Sequence, residues 1–178
     1  MTRPARFAPV LLLALLAPAL PLRLPAADDN ADMRTRFIIV DRLVFEEQIG
    51  IVRLGSSFDV AQTVERLRTL IELKGMSVYA DIDHALEAKR AGRTMPPMRL
   101  LLFGGPTAMT PLLPEARTLG LDLPYAVLVY RTDAGKTVIA YDDPEWLARR
   151  HGINVESSEV RRIDGVLAEI VRAAGGGS

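Results

Sequence analysis

Cysteine is absent from the 178 residues. That excludes a disulfide scaffold, thiol nucleophiles, thiolate metal sites and a lipid anchor carried on a thiol. Histidine is almost absent: only His84 and His151 occur, so an imidazole-based metal centre needs carboxylates to complete its three or four ligands. Excess charge is missing too. The formal net charge is +0, and residues 1–27 hold Arg3, Arg6 and Arg23 but no acid, so removing them leaves 19 bases against 22 acids, or about −3. Such a balance does not suit nucleic acid, whose binding requires a basic face that neutralises many phosphates. Beyond the leader there is no apolar run of membrane-spanning length, and no internal repeat. With 49% hydrophobic and 25% charged residues, the remainder has ordinary globular composition and a length suited to one domain.

Residues 1–27 read as a signal peptide. Arg3 and Arg6 supply the positive start, Ala8 to Leu16 the apolar stretch, and Ala17-Pro18-Ala19 or Ala26-Ala27 the small-residue cleavage sites. The competing reading is a retained anchor, but Pro18, Pro21 and Arg23 cut the stretch short of the ~20 residues a spanning helix needs. The expectation is therefore an exported protein, periplasmic or secreted, with no membrane association after cleavage.

The rest divides into a lead-in over residues 28–48, a domain over 49–153, an amphipathic helix over 154–173 and a flexible tail over 174–178. Within the lead-in, the apolar run Phe37 to Val40 suits a strand or an interaction segment, and Glu46-Glu47 a solvated pair. Ile49 to Leu54 reads as a strand. Asp59, with Gln62 three residues on, forms a capping-box pattern ahead of Val60, Val64, Leu67 and Ile71, which recur at helical spacing before Gly75. Met76, Val78, Ala80 and Ile82 alternate with polar residues, as on a strand with one buried face. A short helix from Asp83 to Arg90, a buried strand over Arg99 to Phe103 and a helix over Pro111 to Leu119 follow. Tyr125 to Tyr130 and Thr137 to Tyr141 suit a hairpin turning at Asp133-Ala134-Gly135. Asp143-Pro144 opens a helix that Arg149, Arg150 and His151 close. Val160, Ile163, Leu167 and Ile170 mark the last one. The fold class expected is α+β, a small mixed β-sheet with helices mainly on one face; a three-layer α/β sheet is the alternative.

Several stretches together resemble the domain-of-unknown-function 302 family. They are Ser57-Phe58-Asp59-Val60, Asp81-Ile82-Asp83-His84-Ala85, Leu102-Phe103-Gly104-Gly105-Pro106, Leu121-Asp122-Leu123-Pro124 and Tyr141-Asp142-Asp143-Pro144 leading to Arg150-His151-Gly152. They cover roughly residues 50–153. The resemblance implies a compact α+β domain that packs as a homodimer, with no established biochemical role; some relatives carry secretion signals. Two positions depart from the pattern: Gly105 stands where asparagine is typical, and Met109 precedes Thr110 where glycine is typical.

Candidate chemistry is sparse. Asp81, Asp83 and His84 form the one acid–histidine cluster, in which His84 would act as ligand or general base oriented by a carboxylate. The plainer alternative is that Asp83 caps a helix and His84 sits in its first turn. Phe103, Gly104, Gly105 and Pro106, with Thr107 and Thr110 following, join a buried strand to a helix, where free amides and hydroxyls suit an anion. No Gly-Lys-Ser/Thr follows, so this is not a P-loop, and a tight turn explains the glycines equally well. No nucleophile elbow occurs, and Ser56-Ser57 precedes a helix as capping residues do. Tyr130 and Tyr141 read as half-buried packing residues and Trp146 as an anchor on the core.

No catalytic residue and no metal ligand is assigned, and the cofactor is unknown. The ligand-binding candidates are Asp83, His84, Phe103, Gly104, Gly105, Pro106 and Thr110. The leading expectation is a non-catalytic domain of the cell envelope that binds a small ligand or partner. The alternative is an enzyme or metal/haem-binding protein centred on His84, with the glycine loop as the opposite wall. A third is an assembly partner that uses the segment 37–40.

Overall fold

The computed structural model describes residues 37–40, 43–46 and 50–177. The leader and most of the lead-in, including Glu47, lie outside the described residues. Phe37–Val40 (β1) and Leu43–Glu46 (β2) pair as an antiparallel hairpin.

The domain proper starts at Ile51–Ser56 (β3). Asp59 then caps Val60–Leu73 (α1): its side chain accepts from the Gln62 amide at 2.8 Å, and the Gln62 side chain accepts from the Asp59 amide in return. The helix ends at Lys74-Gly75, where Gly75 takes φ +73°. Ser77–Asp83 (β4) leads directly into His84–Arg90 (α2). Met98–Gly104 (β5) is followed by one turn of helix at Pro106–Met109 (α3), a 3-10 turn at Arg117–Leu121 and a cis Leu123-Pro124 bond. Tyr125–Arg131 (β6) and Thr137–Asp142 (β7) form the expected hairpin. Pro144–Arg150 (α4) and Ser158–Gly175 (α5), capped by Asp143 and Ser157, complete the chain.

The strands form one five-stranded sheet in the order β3-β7-β6-β5-β4. Each pairing is antiparallel, so the fold is α+β and not a three-layer α/β sheet, which needs parallel neighbours joined by crossovers. The expected mixed sheet is corrected in the same way. β3 and β4 do run in the same sense, but they occupy opposite edges with β7, β6 and β5 inserted between them. Two pieces of the sequence reading shift. Pro111 to Leu119 is not a continuous helix, because Pro114 withholds an amide and crowds the turn before it. The tail over 174–178 is partly core: α5 runs to Gly175, and Ala174 is fully buried.

One face of the sheet carries Leu101, Phe103, Val127, Val129, Ile139 and Tyr141, all buried. Val64, Leu67 and Ile71 of α1 and Ile163, Leu167 and Ile170 of α5 belong to the same cluster. Full burial of such a side chain contributes roughly 1.5–3 kcal/mol, so this seam between sheet and helices holds most of the stability. Gly175 is needed where α5 meets β3, since a Cβ there would lie 2.8 Å from the Gly55 carbonyl oxygen.

Candidate functional site

The sequence-derived candidates fall at two ends of the sheet. Register pairs Asp83 with Arg99 at the start of β5 and Ser77 with Gly104 at its finish. Five residue steps of strand, roughly 17 Å, therefore separate His84 from Gly104, Gly105, Pro106 and Thr110. The glycine loop is not the opposite wall of a His84 cleft, and the enzyme or metal/haem arrangement built on that pairing is corrected. The reason is topological: β4 and β5 are antiparallel neighbours, so the end of one lies beside the start of the other.

Each end has its own local explanation. Asp83 caps α2, accepting from the Leu86 amide at 2.9 Å, and His84 is the first residue of that helix, half-buried. The Asp81 carboxylate is engaged with two arginines. It binds Arg99 through two hydrogen bonds and Arg68 of α1 at 2.7 Å, which ties β4, β5 and α1 together. At the far end, Gly105 packs beside the turn after α1, where a Cβ would make ordinary contact 3.4 Å from the Gly75 carbonyl oxygen. Phe103 is core, packed obliquely on Tyr125 with ring centroids 6.1 Å apart. The Thr110 hydroxyl donates back to the Pro106 carbonyl, Arg162 donates to Thr107 O at 3.0 Å and the Tyr125 hydroxyl to Ala108 O at 3.2 Å. The polar groups of this loop are turned to holding it in place.

A wide concavity lies at the Asp83 end. A groove of about 1240 Å³ runs along the edge formed by the end of β3, the start of α1, the β6–β7 turn, the start of β5 and α2. This exceeds the ~300–1,000 Å³ typical of sites that enclose small-molecule ligands, so a ligand there need not fill it. Phe58, Val60, Leu86, Met95 and Met98 supply apolar surface, and Lys89, Arg93, Arg99, Arg131 and Lys136 supply positive charge. The two carboxylates on its wall, Asp59 and Asp83, are both occupied as helix caps. Arg99 is neutralised by Asp81, whereas Lys89, Arg93, Arg131 and Lys136 have no acidic partner among the described residues. Of the candidates read from sequence, Asp83 alone lines this groove. Single exposed lysines and arginines on separate elements carry no signal in a linear reading; only their convergence does.

A second cluster was also missed. His151, with a side chain 5% exposed, binds Asp122 Oδ2 through Nε2 at 2.6 Å and Thr118 Oγ1 through Nδ1 at 2.9 Å. Because the carboxylate accepts from Nε2–H, a neutral ring has Nδ1 free to accept from the threonine hydroxyl. Arg150 donates to the other Asp122 oxygen at 3.2 Å. Nearby, partial desolvation, followed by the like charge of Asp122, raises the Asp142 carboxyl above its ordinary pKa, with Arg150 opposing. The ordering resembles a hydroxyl–imidazole–carboxylate relay, but Thr118 lies outside the groove. What the cluster does is fasten the 3-10 turn and the strand entry to the end of α4. Asp122 and His151 both sit in stretches that the family resemblance singled out, which is where a signal for this pair lay.

Comparisons with known proteins agree with the fold. The model of the domain of unknown function DUF302 matches residues 52–170. A fluoride-specific ion channel FluC 1 of Brucella suis biovar 1 is 40% identical over 108 residues, covering 61% of this chain and 42% of that protein. The FluC 1 protein of Brucella abortus biovar 1 is also 40% identical over 108 residues, covering 61% of this chain and 40% of the relative. The chain thus spans about two fifths of the length of these relatives. Among the described residues no helix is long and apolar enough to cross a membrane. The crystal structure of an uncharacterized conserved DUF302 protein from Bacillus stearothermophilus matches with a TM-score of 0.58 at 20% identity, over 72% of this chain and 98% of its own. With the family model matched over more than half of the sequence, this chain belongs to the DUF302 family.

Proposed function

We propose that the protein is an exported, non-catalytic binding domain of the cell envelope that holds an anionic small molecule in the groove at the Asp83 end of the sheet. One observation carries the reading: Lys89, Arg93, Arg131 and Lys136 converge on a single cavity of about 1240 Å³ without acidic partners among the described residues. In a chain whose leaderless part is net acidic, four unneutralised cations in one concavity favour an anion there over any other occupant. The amino-terminal leader pattern supports export, and N-terminal sequencing of protein recovered outside the cytoplasm tests it. An intact Met1 there would count against cleavage.

The binding test is the melting temperature of the full-length protein at low salt against a panel of carboxylates, phosphates and halides. At a hundredfold excess over Kd, a ligand stabilises by about 2.7 kcal/mol, which raises Tm of a domain this size by roughly 5–10 °C. A Lys89→Glu/Arg93→Glu variant should lose that shift. A panel in which no anion moves Tm removes the reading. The name of the Brucella relatives favours a second one, that the domain serves a fluoride channel and takes fluoride itself. A single fluoride ion occupies less than the ~30 Å³ share of one water molecule, far smaller than the groove. A shift with fluoride but with no carboxylate or phosphate would select this second reading.

A further inference from the structure

We infer that the ligand of the groove is an amphiphile, a single carboxylate head carried on an unbranched apolar chain. The inference rests on the anion-binding reading above and deepens it. Two observations carry it: apolar surface adjoins the cations, and the backbone donors that suit a compact anion are already filled.

On α2, Leu86 lies three residues ahead of Lys89, so the two are neighbours on the helix surface. Leu86 is 44% exposed although it is large and apolar, and both residues line the groove. Arg93 is tied back to the same helix, its amide donating to the Ala88 carbonyl at 2.8 Å. In the other stretch, the Arg131 amide donates to the Pro97 carbonyl at 2.9 Å, and Tyr130 beside it pairs with Met98. Arg131 therefore leaves β6 alongside Pro97 and Met98, which line the groove with it. α2 itself packs on β5, the strand that Met98 opens. Cation and hydrocarbon are neighbours in both stretches of chain that supply the charge.

Phosphate and sulfate are held most readily by free backbone amides at a helix start. Both helix starts that line the groove are taken. Asp59 accepts from the Gln62 amide at 2.8 Å, and Asp83 accepts from the Leu86 amide at 2.9 Å. For the charge of a ligand there remain the long side chains of Lys89, Arg93, Arg131 and Lys136, each exposed. Exposed pairings of that kind contribute only modestly, so much of the affinity must come from the apolar surface. A halide or phosphate leaves Leu86, Met95 and Met98 uncovered. An alkyl chain covers them, and methionine side chains adapt to varied apolar shapes.

The probes are straight-chain alkanoates from butanoate to dodecanoate, kept below their micelle concentrations, with 1-alkanols of equal length as uncharged controls and inorganic phosphate as a tailless anion. Each is titrated calorimetrically into the full-length protein at low salt. Affinity should rise roughly three- to fourfold per added methylene, and decanoate should exceed 1-decanol about tenfold or more. Leu86→Ser, a change at an exposed position, should weaken decanoate about fivefold and leave butanoate unchanged. Lys89→Gln/Arg93→Gln/Arg131→Gln/Lys136→Gln should bring decanoate down to the affinity of 1-decanol. An unchanged melting curve of each unliganded variant shows that it folds. If butanoate or phosphate binds at least as tightly as decanoate, or if Leu86→Ser leaves decanoate untouched, the amphiphile is wrong while the anion site stands. If 1-decanol matches decanoate, the charge plays no part and both readings fall. They fall together too if no alkanoate, alkanol or phosphate binds.

Discussion

At the scale of single residues, the chain is constrained most where a backbone passes under a ring. Gly50 takes φ +78°, and a Cβ there would lie 2.4 Å from Trp146 Cδ2 and 2.7 Å from Cγ. Its carbonyl also accepts from the Asp143 amide that opens α4 at 3.0 Å. Trp146 therefore anchors α4 onto the entry of β3, and only glycine leaves room for it. Gly92 offers a control, since its φ is +72° but nothing lies within 4 Å of its would-be Cβ. Gly92→Ala should cost about 1 kcal/mol, the left-handed backbone penalty alone. Gly50→Ala should cost roughly 2–4 kcal/mol, because the ring cannot yield as a flexible chain end does. Urea denaturation of both variants measures the difference, and equal losses would show that the ring contact is slack.

At the scale of elements, the Thr118–His151–Asp122 cluster links two pieces of chain with little regular structure between them. Asp122→Ala leaves a buried ring nitrogen without its acceptor, a loss of roughly 1–3 kcal/mol. His151→Ala removes the same link from the other side, so the double variant should lose little more than either single one. Additive losses in that thermodynamic cycle would mean the two groups act separately. How much of this was legible follows from the range of each interaction. Asp59, Asp83, Asp143 and Ser157 all cap helices; the first three had been read as helix starts, because a cap reaches only two or three residues along the chain. Val60, Val64, Leu67 and Ile71 were legible as a buried face for the same reason. Strand order was not, since nothing local says that β7, β6 and β5 insert between β3 and β4. That single topological fact separates His84 from the glycine loop and lets α2 and the β6–β7 turn line one groove. Asp122 and His151 are 29 residues apart, and the four cations without acidic partners among the described residues come from two distant stretches of chain, Lys89 with Arg93 and Arg131 with Lys136, so neither cluster exists until tertiary structure forms.

At the scale of the whole molecule, the stability of the helix–sheet seam is linked to pH through two of its tyrosines. Burial pushes the Tyr125 hydroxyl up to about 12, with Arg162 opposing. Burial does the same to Tyr141, helped by the negative charges of Asp164 and Asp143 and opposed by Arg172, again to about 12. In the unfolded chain both ionise near the ordinary value of 10.0. Between those limits the native state keeps protons that the unfolded state releases, so stability must fall as pH rises. The contribution is intact below pH ~10 and fully lost once pH passes ~12. Tyr125 also holds Ala108 O at 3.2 Å, so its ionisation forfeits the hydroxyl donor that fixes the loop after β5. Denaturant melts from pH 8 to pH 12 should therefore steepen in their loss of stability above pH ~10. A Tyr125→Phe/Tyr141→Phe variant should be less stable at neutral pH by about 1 kcal/mol for the hydrogen bond lost, yet decline more gently above pH ~10. Lysine deprotonation affects both proteins alike, so the difference in slope isolates the tyrosines. Parallel curves for the two proteins would mean that these hydroxyls meet water in the native state, and that the seam between sheet and helices is looser than its packing implies.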